Sequence, residues 1–302
     1  MAESITRISD TLSRMAATAE VSSQVLIDQM SAVAAESAAA NQILADRGGG
    51  LGYSQIEASR NQVDIYERMT LRLLLDHTSI VDRCVIVEGA WEQSQIKFFI
   101  GLVKTAVRRR DIVFLDIGSY WGLYSLLAMR AGVRRIHAFD ADRHNFAQLQ
   151  AQIFLNDAAG TINPHNLAVS AEAGNLRCWD SRTHPDGNRG GVGIVGRDAK
   201  DQPSYEVVAV AIDDFLPFER EVIFIKIDVE GHEDKALLGL RQTIEGNKVV
   251  IQVEIFEAQW ERVMPIIEEF GLRRIHQITP DYYYTNMTND ELELQSMAPI
   301  AA

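Results

Sequence analysis

Apolar and polar positions repeat with two different periods along the chain from residue 112 onward. Short apolar runs that end in turn residues predict strands, and segments whose apolar positions recur every three or four residues predict amphipathic helices. The predicted strands lie at 112–117, 135–140, 162–169, 205–212, 222–228, 248–255, 273–278 and 281–285. The predicted helices lie at 121–131, 143–155, 232–241 and 257–270.

This alternation predicts an α/β fold. Strands separated by helices pair in parallel through right-handed crossovers, which builds a doubly wound, mostly parallel sheet with helices on both faces. The last two strands are close in sequence and therefore fit an antiparallel hairpin at one edge. Ligands bind to such sheets beyond the carboxyl ends of the strands, so we expect the functional groups there.

The first 47 residues contain neither glycine nor proline and are rich in alanine and serine. Apolar residues from Ile5 to Leu26 follow each other at spacings of three and four, which predicts a helical extension at 1–50 with one apolar seam. Three arrangements fit the seam: packing on the protein's own body, pairing in a homo-oligomer through residues 1–47, or partial disorder. The glycine-rich segment 48–52 is predicted to be a hinge.

Two further segments stand outside the strand and helix alternation. Residues 51–110 are predicted to be a mainly helical lead-in, with a helical pattern at 54–77. Within it, Trp91 and Glu92 either close over a ligand or anchor the packing, as a tryptophan at such a junction commonly does. The polar, glycine-rich segment 178–203 is predicted to be a lid or a substrate-contacting loop, and the alternative is a solvated insertion.

Charge and composition limit the possible partners. The chain of 302 residues has a formal net charge of −13, so most of its surface repels nucleic acid. No apolar stretch reaches the roughly 18 residues of a membrane span, and no export signal is recognisable, so we expect a cytoplasmic location. Cys84 and Cys178 are the two cysteines, and their spacing fits neither a disulfide framework nor a zinc site.

Residues 114–127 read FLDIGSYWGLYSLL, a strand that runs into Asp116, a turn from Gly118 to Gly122, and the start of a helix. Glycines in such a turn let backbone N–H groups approach a ligand closely. The spacing differs from the Gly-x-Gly-x-x-Gly with which dinucleotide-binding proteins hold a pyrophosphate. A carboxylate two residues before the first glycine repels phosphate and favours an amine. The pattern therefore indicates S-adenosylmethionine.

A second strand supports this cofactor. Residues 135–140 read RIHAFD and end in Asp140, 24 residues after Asp116, where a carboxylate can accept from both ribose hydroxyls. Each piece alone is also consistent with an ordinary glycine turn or a solvated helix cap. The predicted cofactor-binding residues are Asp116, Gly118, Ser119, Tyr120, Gly122, Asp140 and Ala141.

Residues 223–234, IFIKIDVEGHED, carry charges in a strand that otherwise reads as buried. Lys226 and Asp228 are two residues apart and therefore share a face of the strand. Charges at such positions are unfavourable unless they are paired or functional, so Lys226 is either half of a structural ion pair or part of the site. Methyl transfer to an oxygen requires a nearby base or metal ion that takes up the proton.

The candidate catalytic residues stand at the ends of two neighbouring strands and in the turn after the first. They are Asp228, Glu230, His232 and Glu254. His232 is a candidate base, although a single histidine is more commonly an ordinary surface or core residue. Glu254 either orients the substrate or shares a divalent ion such as Mg²⁺ with Asp228. No residue spacing here establishes a metal site.

These stretches resemble the FkbM-type methyltransferases. The similar segments are FLDIGSYWGLYSLLA, HAFDADRHNFAQLQAQIFLND, NLAVSAEAGN, VAIDDF, FIKIDVEGHEDKALLGL and VVIQVEIF. The resemblance implies a class I, Rossmann-like methyltransferase fold and S-adenosylmethionine-dependent O-methylation of a hydroxyl on a sugar, glycan or secondary metabolite. It implies that Asp116, Gly118 and Asp140 contact the cofactor and that Asp228 and Glu230 stand at the catalytic edge.

With this reading, residues 111–302 are predicted to be the S-adenosylmethionine-binding catalytic domain. Two alternatives come from other classes. A non-catalytic scaffold would use the N-terminal seam, and the intact acids and glycines of the sheet argue against such a loss of function. A nicotinamide-dependent oxidoreductase is opposed by the missing Gly-x-Gly-x-x-Gly.

Overall fold

The computed structural model describes residues 63–196 and 201–292. The predictions for residues 1–50, which include the helical seam, the hinge and the homo-oligomer, lie outside these residues. The strands are β1 (Val63–Arg68), β2 (Leu71–Asp76), β3 (Val113–Ile117), β4 (Arg135–Phe139), β5 (Ile162–His165), β6 (Ala168–Val169), β7 (Gly174–Trp179), β8 (Ser204–Val210), β9 (Val222–Ile227), β10 (Lys248–Glu254), β11 (Arg273–Ile278) and β12 (Asp281–Thr285). The helices are α1 (Ile80–Glu88), α2 (Gln93–Val107), α3 (Leu123–Arg130), α4 (Arg143–Leu155), α5 (Ile212–Phe215), α6 (Glu233–Leu238), α7 (Arg241–Gly246), α8 (Glu257–Glu269) and α9 (Asn289–Leu292).

The central sheet has seven strands in the order β11-β12-β10-β9-β3-β4-β5. The five strands from β10 to β5 in this order pair in parallel. β12 pairs antiparallel with both β10 and β11. The predicted doubly wound, mostly parallel sheet with a hairpin at one edge is therefore confirmed. The strand order reverses between β3 and β9, which is where ligands of such sheets bind.

Helices cover both faces of this sheet, as its apolar strands require. Alternate residues of β9 point to opposite faces: Ile223, Ile225 and Ile227 pack in one core with α6, α7 and α8. Phe224 packs in the other core with α2, α3 and α4, and its ring centroid lies 5.9 Å from that of Phe99. Complete burial of one such side chain stabilises the fold by about 1.5–3 kcal/mol, so the two cores hold the sheet between its helices.

Residues 63–76 form an antiparallel hairpin of β1 and β2, so the helix predicted at 54–77 is wrong for this part. Three buried leucines of β2 alternate with more exposed residues, which is the two-residue period of a strand. The turn consists of Met69 and Thr70, which both have positive φ, as in the tight hairpin turns usually made by Asn-Gly. Because neither residue signals such a turn, the leucines resemble a helix face in the sequence.

The strands predicted at 162–169 and 205–212 are only partly right. Ile162–His165 forms the edge strand β5 of the central sheet, but β6 and β8 belong to a separate sheet with the order β6-β8-β7. β7 was not predicted, and it pairs antiparallel with β8 along its whole length. β8 thus pairs with β6 and β7, which are separated from it in the sequence, and belongs to this second sheet.

The helix predicted at 232–241 ends earlier, because α6 stops at Leu238 and a second helix, α7, begins at Arg241. A Cβ added to Gly239, which lies between these helices, would be 2.0 Å from the Ser170 carbonyl oxygen, so the chain passes too close to this neighbour for a longer side chain.

Cys84 and Cys178 are free thiols in the described part of the chain. Among the described residues, no helix is both long enough and apolar enough to cross a membrane.

Candidate active site

A cavity of about 270 Å³ opens at the carboxyl ends of the central strands, where the strand order reverses. This volume is many times what one buried water needs, so the cavity can hold a sizeable ligand. Of the predicted site residues, all except Gly122 line it: Asp116, Gly118, Ser119, Tyr120, Asp140, Ala141, Asp228, Glu230, His232 and Glu254. The structure therefore brings the two predicted sets of residues together around one space.

Asp116 is the penultimate residue of β3, and only one of its carboxyl oxygens is hydrogen-bonded. The Ser125 N–H and hydroxyl, in the first turn of α3, donate to Asp116 Oδ2 at 3.0 and 2.6 Å. Asp116 Oδ1 and the hydroxyl of Ser119 are buried and find no hydrogen-bond partner among the described residues. Burial raises the pKa of Asp116, and the nearby ammonium of Lys226 opposes this. Buried polar atoms normally have partners, so these two atoms fit a ligand that carries donors.

The two glycines of the turn are needed for chain packing. Gly118 has φ 79°, and a Cβ there would lie 1.6 Å from the Asp228 carbonyl oxygen. Gly122 has φ 88°, and a Cβ there would lie 2.4 Å from the Leu149 side chain on α4. Glycine at these positions lets β3 and its turn approach β9 and α4. Gly122 thus contacts α4 on the side away from the cavity lining.

Asp140 follows β4 and is held by two backbone groups. Tyr120 N–H donates to Asp140 Oδ2 at 2.7 Å, and Asp142 N–H donates to Asp140 Oδ1 at 2.9 Å. Tyr120 reaches this position because it adopts a positive φ of 52°, which is rare for a residue with a side chain. Burial and the neighbouring Asp142 raise the pKa of Asp140 well above its ordinary value. Each carboxyl oxygen keeps a second lone pair for a ligand hydroxyl.

Lys226 forms the positive centre of the site. Its Nζ lies 2.6 Å from Asp228 Oδ2 and 4.7 Å from the ring centroid of Tyr124. The prediction that Lys226 and Asp228 share a face is therefore confirmed. Burial lowers the pKa of Lys226, but the surrounding carboxylates outweigh burial and raise it above its ordinary value; they are Asp228, Glu92, Asp116 and Asp281.

Three carboxyl groups gather at the ends of β9 and β10. Oxygens of Asp228, Glu230 and Glu254 all lie within 4.8 Å of one another. Burial and the charge of Asp228 raise the pKa of Glu254 to about 10, and Asp228 also hydrogen-bonds to Glu254. Burial and Asp228 raise the pKa of Glu230 to about 8. Near neutral pH, Glu230 and Glu254 are therefore mostly protonated and can donate as well as accept hydrogen bonds.

His232 stands on the other side of the β9 turn. Its Nε2 lies 3.0 Å from the hydroxyl of Ser170. Burial lowers the pKa of His232, so the imidazole is neutral near pH 7. The turn itself is shaped by Glu233, whose Oε1 accepts from the N–H groups of Val229 and Gly231. The sequence did not single out Glu233, because an acid at the start of a helix is common there.

Glu92 and Tyr124 complete the wall near Lys226. Trp91 Nε1–H donates to Glu92 Oε1 at 3.0 Å, and the Tyr124 hydroxyl donates to Glu92 Oε2 at 2.9 Å. Trp91 and Glu92 line the cavity, and Trp91 also packs against the core, so both sequence readings of Trp91 describe part of its surroundings. Tyr124 and the buried Asp281 were missed, because nothing in the local sequence shows that they converge on Lys226.

The segment 178–203 supplies another wall of the cavity. Asn188 and residues 190–194 of this segment line it. A Cβ added to Gly193 would lie 2.4 Å from the Glu230 carbonyl oxygen, so this part of the loop lies against the β9 turn. Residues 190–194 of the segment are therefore packed at the site.

The sequence is similar to those of methyltransferases. The profile of the methyltransferase FkbM domain matches residues 114–274. No curated protein sequence matches the chain at a significant level.

Among the solved structures that match this chain are three methyltransferases. The methyltransferase FkbM from Methylobacillus flagellatus KT has 18% sequence identity and a TM-score of 0.41, over 68% of this chain and 52% of that chain. A SAM-dependent methyltransferase from Agrobacterium tumefaciens has 10% identity and a TM-score of 0.42, over 75% and 70%. TYW2 from M. jannaschii in complex with AdoMet has 14% identity and a TM-score of 0.38, over 75% and 85%. The chain thus spans about half the length of the first of these proteins.

Proposed function

The chain belongs to the FkbM family of S-adenosylmethionine-dependent methyltransferases, and we propose that it methylates a hydroxyl group of a sugar, glycan or secondary metabolite. The observation that carries this proposal is the group of three carboxyl groups, Asp228, Glu230 and Glu254, which face the same cavity as the cofactor turn. A hydroxyl needs a proton acceptor when its oxygen is methylated, and the carboxylate of Asp228, which is paired with Lys226, can supply one.

The cofactor side of the cavity fits S-adenosylmethionine, which supplies an electrophilic methyl group when bound. Asp116 Oδ1 and the Ser119 hydroxyl, both buried without a partner in the described part of the chain, are suited to its amino acid portion. Asp140, oriented by the N–H groups of Tyr120 and Asp142, is suited to the ribose hydroxyls. These assignments use the free Oδ1 of Asp116 and the second lone pairs of the Asp140 oxygens, so they leave the structural hydrogen bonds intact.

Asp228 is the proposed base. Lys226, 2.6 Å away, stabilises negative charge on its carboxylate and fixes its orientation. Glu254 hydrogen-bonds to Asp228, and the raised pKa of Glu230 makes that carboxyl group available as a donor to a further hydroxyl. Such a set of groups favours an acceptor with several neighbouring hydroxyls. His232, neutral and hydrogen-bonded to Ser170, is the second candidate for the base.

A divalent ion such as Mg²⁺ is the other way to activate the hydroxyl. Asp228, Glu230 and Glu254 have suitable oxygen ligands for it. However, Lys226 already neutralises Asp228, and the two glutamates must lose protons before they bind a cation. We therefore propose transfer without a metal ion, and activity that is unchanged by EDTA would support this.

The acceptor is proposed to be a small molecule or glycan, since the net charge of −13 opposes binding to nucleic acid. The test is a screen of sugars and hydroxylated metabolites with methyl-labelled S-adenosylmethionine, with and without magnesium. Product analysis by NMR spectroscopy then identifies the methylated atom. A new O-methyl group would support the proposal, whereas a methyl group on nitrogen or carbon would contradict it.

A further inference from the structure

Arg189 lies in the polar segment 178–203, yet it is only 9% exposed. An arginine is seldom buried unless acidic or polar partners satisfy its charge. The residues on either side of it behave differently, because Asn188 and residues 190–194 line the cavity. Arg189 is therefore a buried cation that does not line the cavity, whereas the residues next to it in the sequence form a wall of the cavity.

The guanidinium of Arg189 reaches three separate elements. Its Nη1 lies 3.6 Å from Asp76 Oδ2 at the end of β2, and its Nη2 lies 3.6 Å from Asp82 Oδ2 on α1. Nη2 also donates to Gln148 Oε1 on α4 and, at 3.3 Å, to the hydroxyl of Tyr120. The Arg189 carbonyl oxygen in turn accepts from the Asn145 side chain at 3.0 Å. Both the side chain and the backbone of Arg189 are therefore fastened.

Asp82 makes the burial of the Arg189 charge favourable. Its side chain is completely buried, and its Oδ1 accepts from the Tyr120 hydroxyl and from Trp121 Nε1–H, each at 2.9 Å. Among the described residues, Arg189 is the cation that pairs with Asp82. Removal of one partner from a buried ion pair leaves an uncompensated charge, which is strongly unfavourable.

Tyr120 connects this network to the cofactor site. Its hydroxyl contacts Arg189 and Asp82, while its backbone N–H donates to Asp140. The tyrosine ring thus anchors a turn that otherwise depends on an unusual positive φ. Arg189 acts on Asp140 through Tyr120 without lining the cavity itself.

We propose that Arg189 is a positioning residue for cofactor binding: it fastens residues 188–194 as a wall of the cavity and holds Tyr120 so that its N–H fixes Asp140. The cofactor assignment on which this rests is the one made under the proposed function. Lysine cannot reproduce the planar guanidinium that contacts several acceptors at once, so charge alone restores little of the effect.

The experiment uses the full chain and the variants Arg189→Ala and Arg189→Lys. Arg182→Ala is the matched control, because Arg182 is an exposed arginine of the same segment whose partner is Asp180. Calorimetry measures S-adenosylhomocysteine affinity at a temperature where circular dichroism shows every protein folded. Hydrogen exchange then reports opening of residues 188–194 and of the turn at 118–122.

We expect Arg189→Ala to weaken S-adenosylhomocysteine binding by roughly tenfold or more and to speed exchange in both segments. Arg189→Lys should recover only part of the affinity, and Arg182→Ala should stay within about twofold of the wild type. Arg189→Ala or Arg189→Lys with a lower melting temperature but unchanged affinity and local exchange would overturn the proposal.

If Arg189→Ala does not fold, Tyr120→Phe is used instead, because it removes the hydroxyl that accepts from Arg189. Hydrogen exchange in residues 188–194 should then be faster than in the wild type. Unchanged exchange in that variant would also overturn the proposal. Failure of the wild type to bind S-adenosylhomocysteine would instead contradict the cofactor assignment, and the exchange measurements would still show whether Arg189 fastens the loop.

Discussion

Glu254 is a carboxylic acid held beside another carboxyl group, and its pKa of about 10 reflects burial and the charge of Asp228. The folded protein keeps the Glu254 proton between pH 4.5 and about 10, whereas the unfolded chain releases it. The stability contributed by this proton is fully present below pH 4.5 and is lost as the pH rises towards 10.

We therefore expect Glu254→Gln, which cannot release a proton, to gain stability relative to the wild type as the pH rises. Thermal unfolding at about pH 5 and about pH 9 measures this, with a larger gain at the higher pH. Glu261→Gln, at an exposed position of α8, is the control for the loss of a carboxyl group at the protein surface. A gain that does not depend on pH would show that Glu254 is ionised in the folded protein.

Asp228 is expected to serve the reaction more than the fold. Asp228→Asn keeps the size and a hydrogen-bond acceptor for Lys226, which still has Glu92, Asp116 and Asp281 nearby. Unfolding should therefore shift little, while turnover with an identified acceptor should fall about 100-fold or more if the carboxylate takes up the proton.

Asp234→Asn is the control for Asp228→Asn, because Asp234 follows the same turn but pairs with Arg262. Steady-state kinetics should show near-normal turnover for this control. Near-normal turnover of Asp228→Asn as well would mean that the proton leaves by another route, and His232 would be the next residue to test.

Asp140→Ala is expected to weaken S-adenosylhomocysteine binding by about 1–3 kcal/mol, since a carboxyl group that accepts from ribose hydroxyls is lost. Calorimetry measures the change, with the exposed Asp111 as the control position for Asp111→Ala. Unchanged affinity of Asp140→Ala would show that Asp140 does not bind the ribose hydroxyls. Tighter binding of NAD than of S-adenosylhomocysteine would contradict the cofactor assignment.

At the scale of elements, the site depends on the close approach of the turn after β3 to the end of β9. We expect Gly118→Ala to destabilise the protein by at least about 2 kcal/mol, because a Cβ there meets the Asp228 carbonyl and φ is positive. Gly101→Ala is the control: it lies inside α2, where the described residues leave open space around a Cβ, and alanine there should stabilise by about 0.5–1 kcal/mol. Denaturant unfolding distinguishes the two, and equal effects would show that the turn can adjust.

The sequence predicted the elements that carry their own signals. Strands that end in Asp116, Asp140 and Asp228 were recognisable because apolar runs, glycines and acids stand next to one another in the sequence. The hairpin at 63–76 and the pairing of β7 with β8 were not, because a turn without glycine or asparagine and a partner distant in sequence leave no local pattern. The formation of these strands therefore depends on tertiary contacts.

The same limit applies to the site. The converging acids could be predicted, since the carboxyl ends of parallel strands meet at one edge of a sheet. The raised pKa values of Glu230 and Glu254 could not, because they depend on burial that only the packed structure defines. The burial of Arg189 likewise depends on Asp82 and Gln148, which belong to two other elements.

At the scale of the whole molecule, the catalytic site and the N-terminal extension are expected to be separable. The described residues, 63–196 and 201–292, belong to one compact unit, and those of them that line the cavity lie at or beyond Val81. The predicted apolar seam in residues 1–47 lies outside the described part of the chain, and its heptad-like spacing favours a second copy as its partner. The seam is thus expected to act in assembly and to leave cofactor binding unaffected.

Deletion of residues 1–50 should therefore leave S-adenosylhomocysteine affinity unchanged. It should lower the number of subunits per particle, which light scattering gives as the measured mass divided by the mass of one chain. A seam substitution in the full chain, Leu12→Glu, should have the same effect on mass, because a charge in an apolar interface is unfavourable. Ser13→Glu, next to the seam, is the control and should keep the wild-type mass. A monomeric wild type would contradict self-association, and loss of cofactor binding on deletion would show that the extension supports the catalytic domain directly.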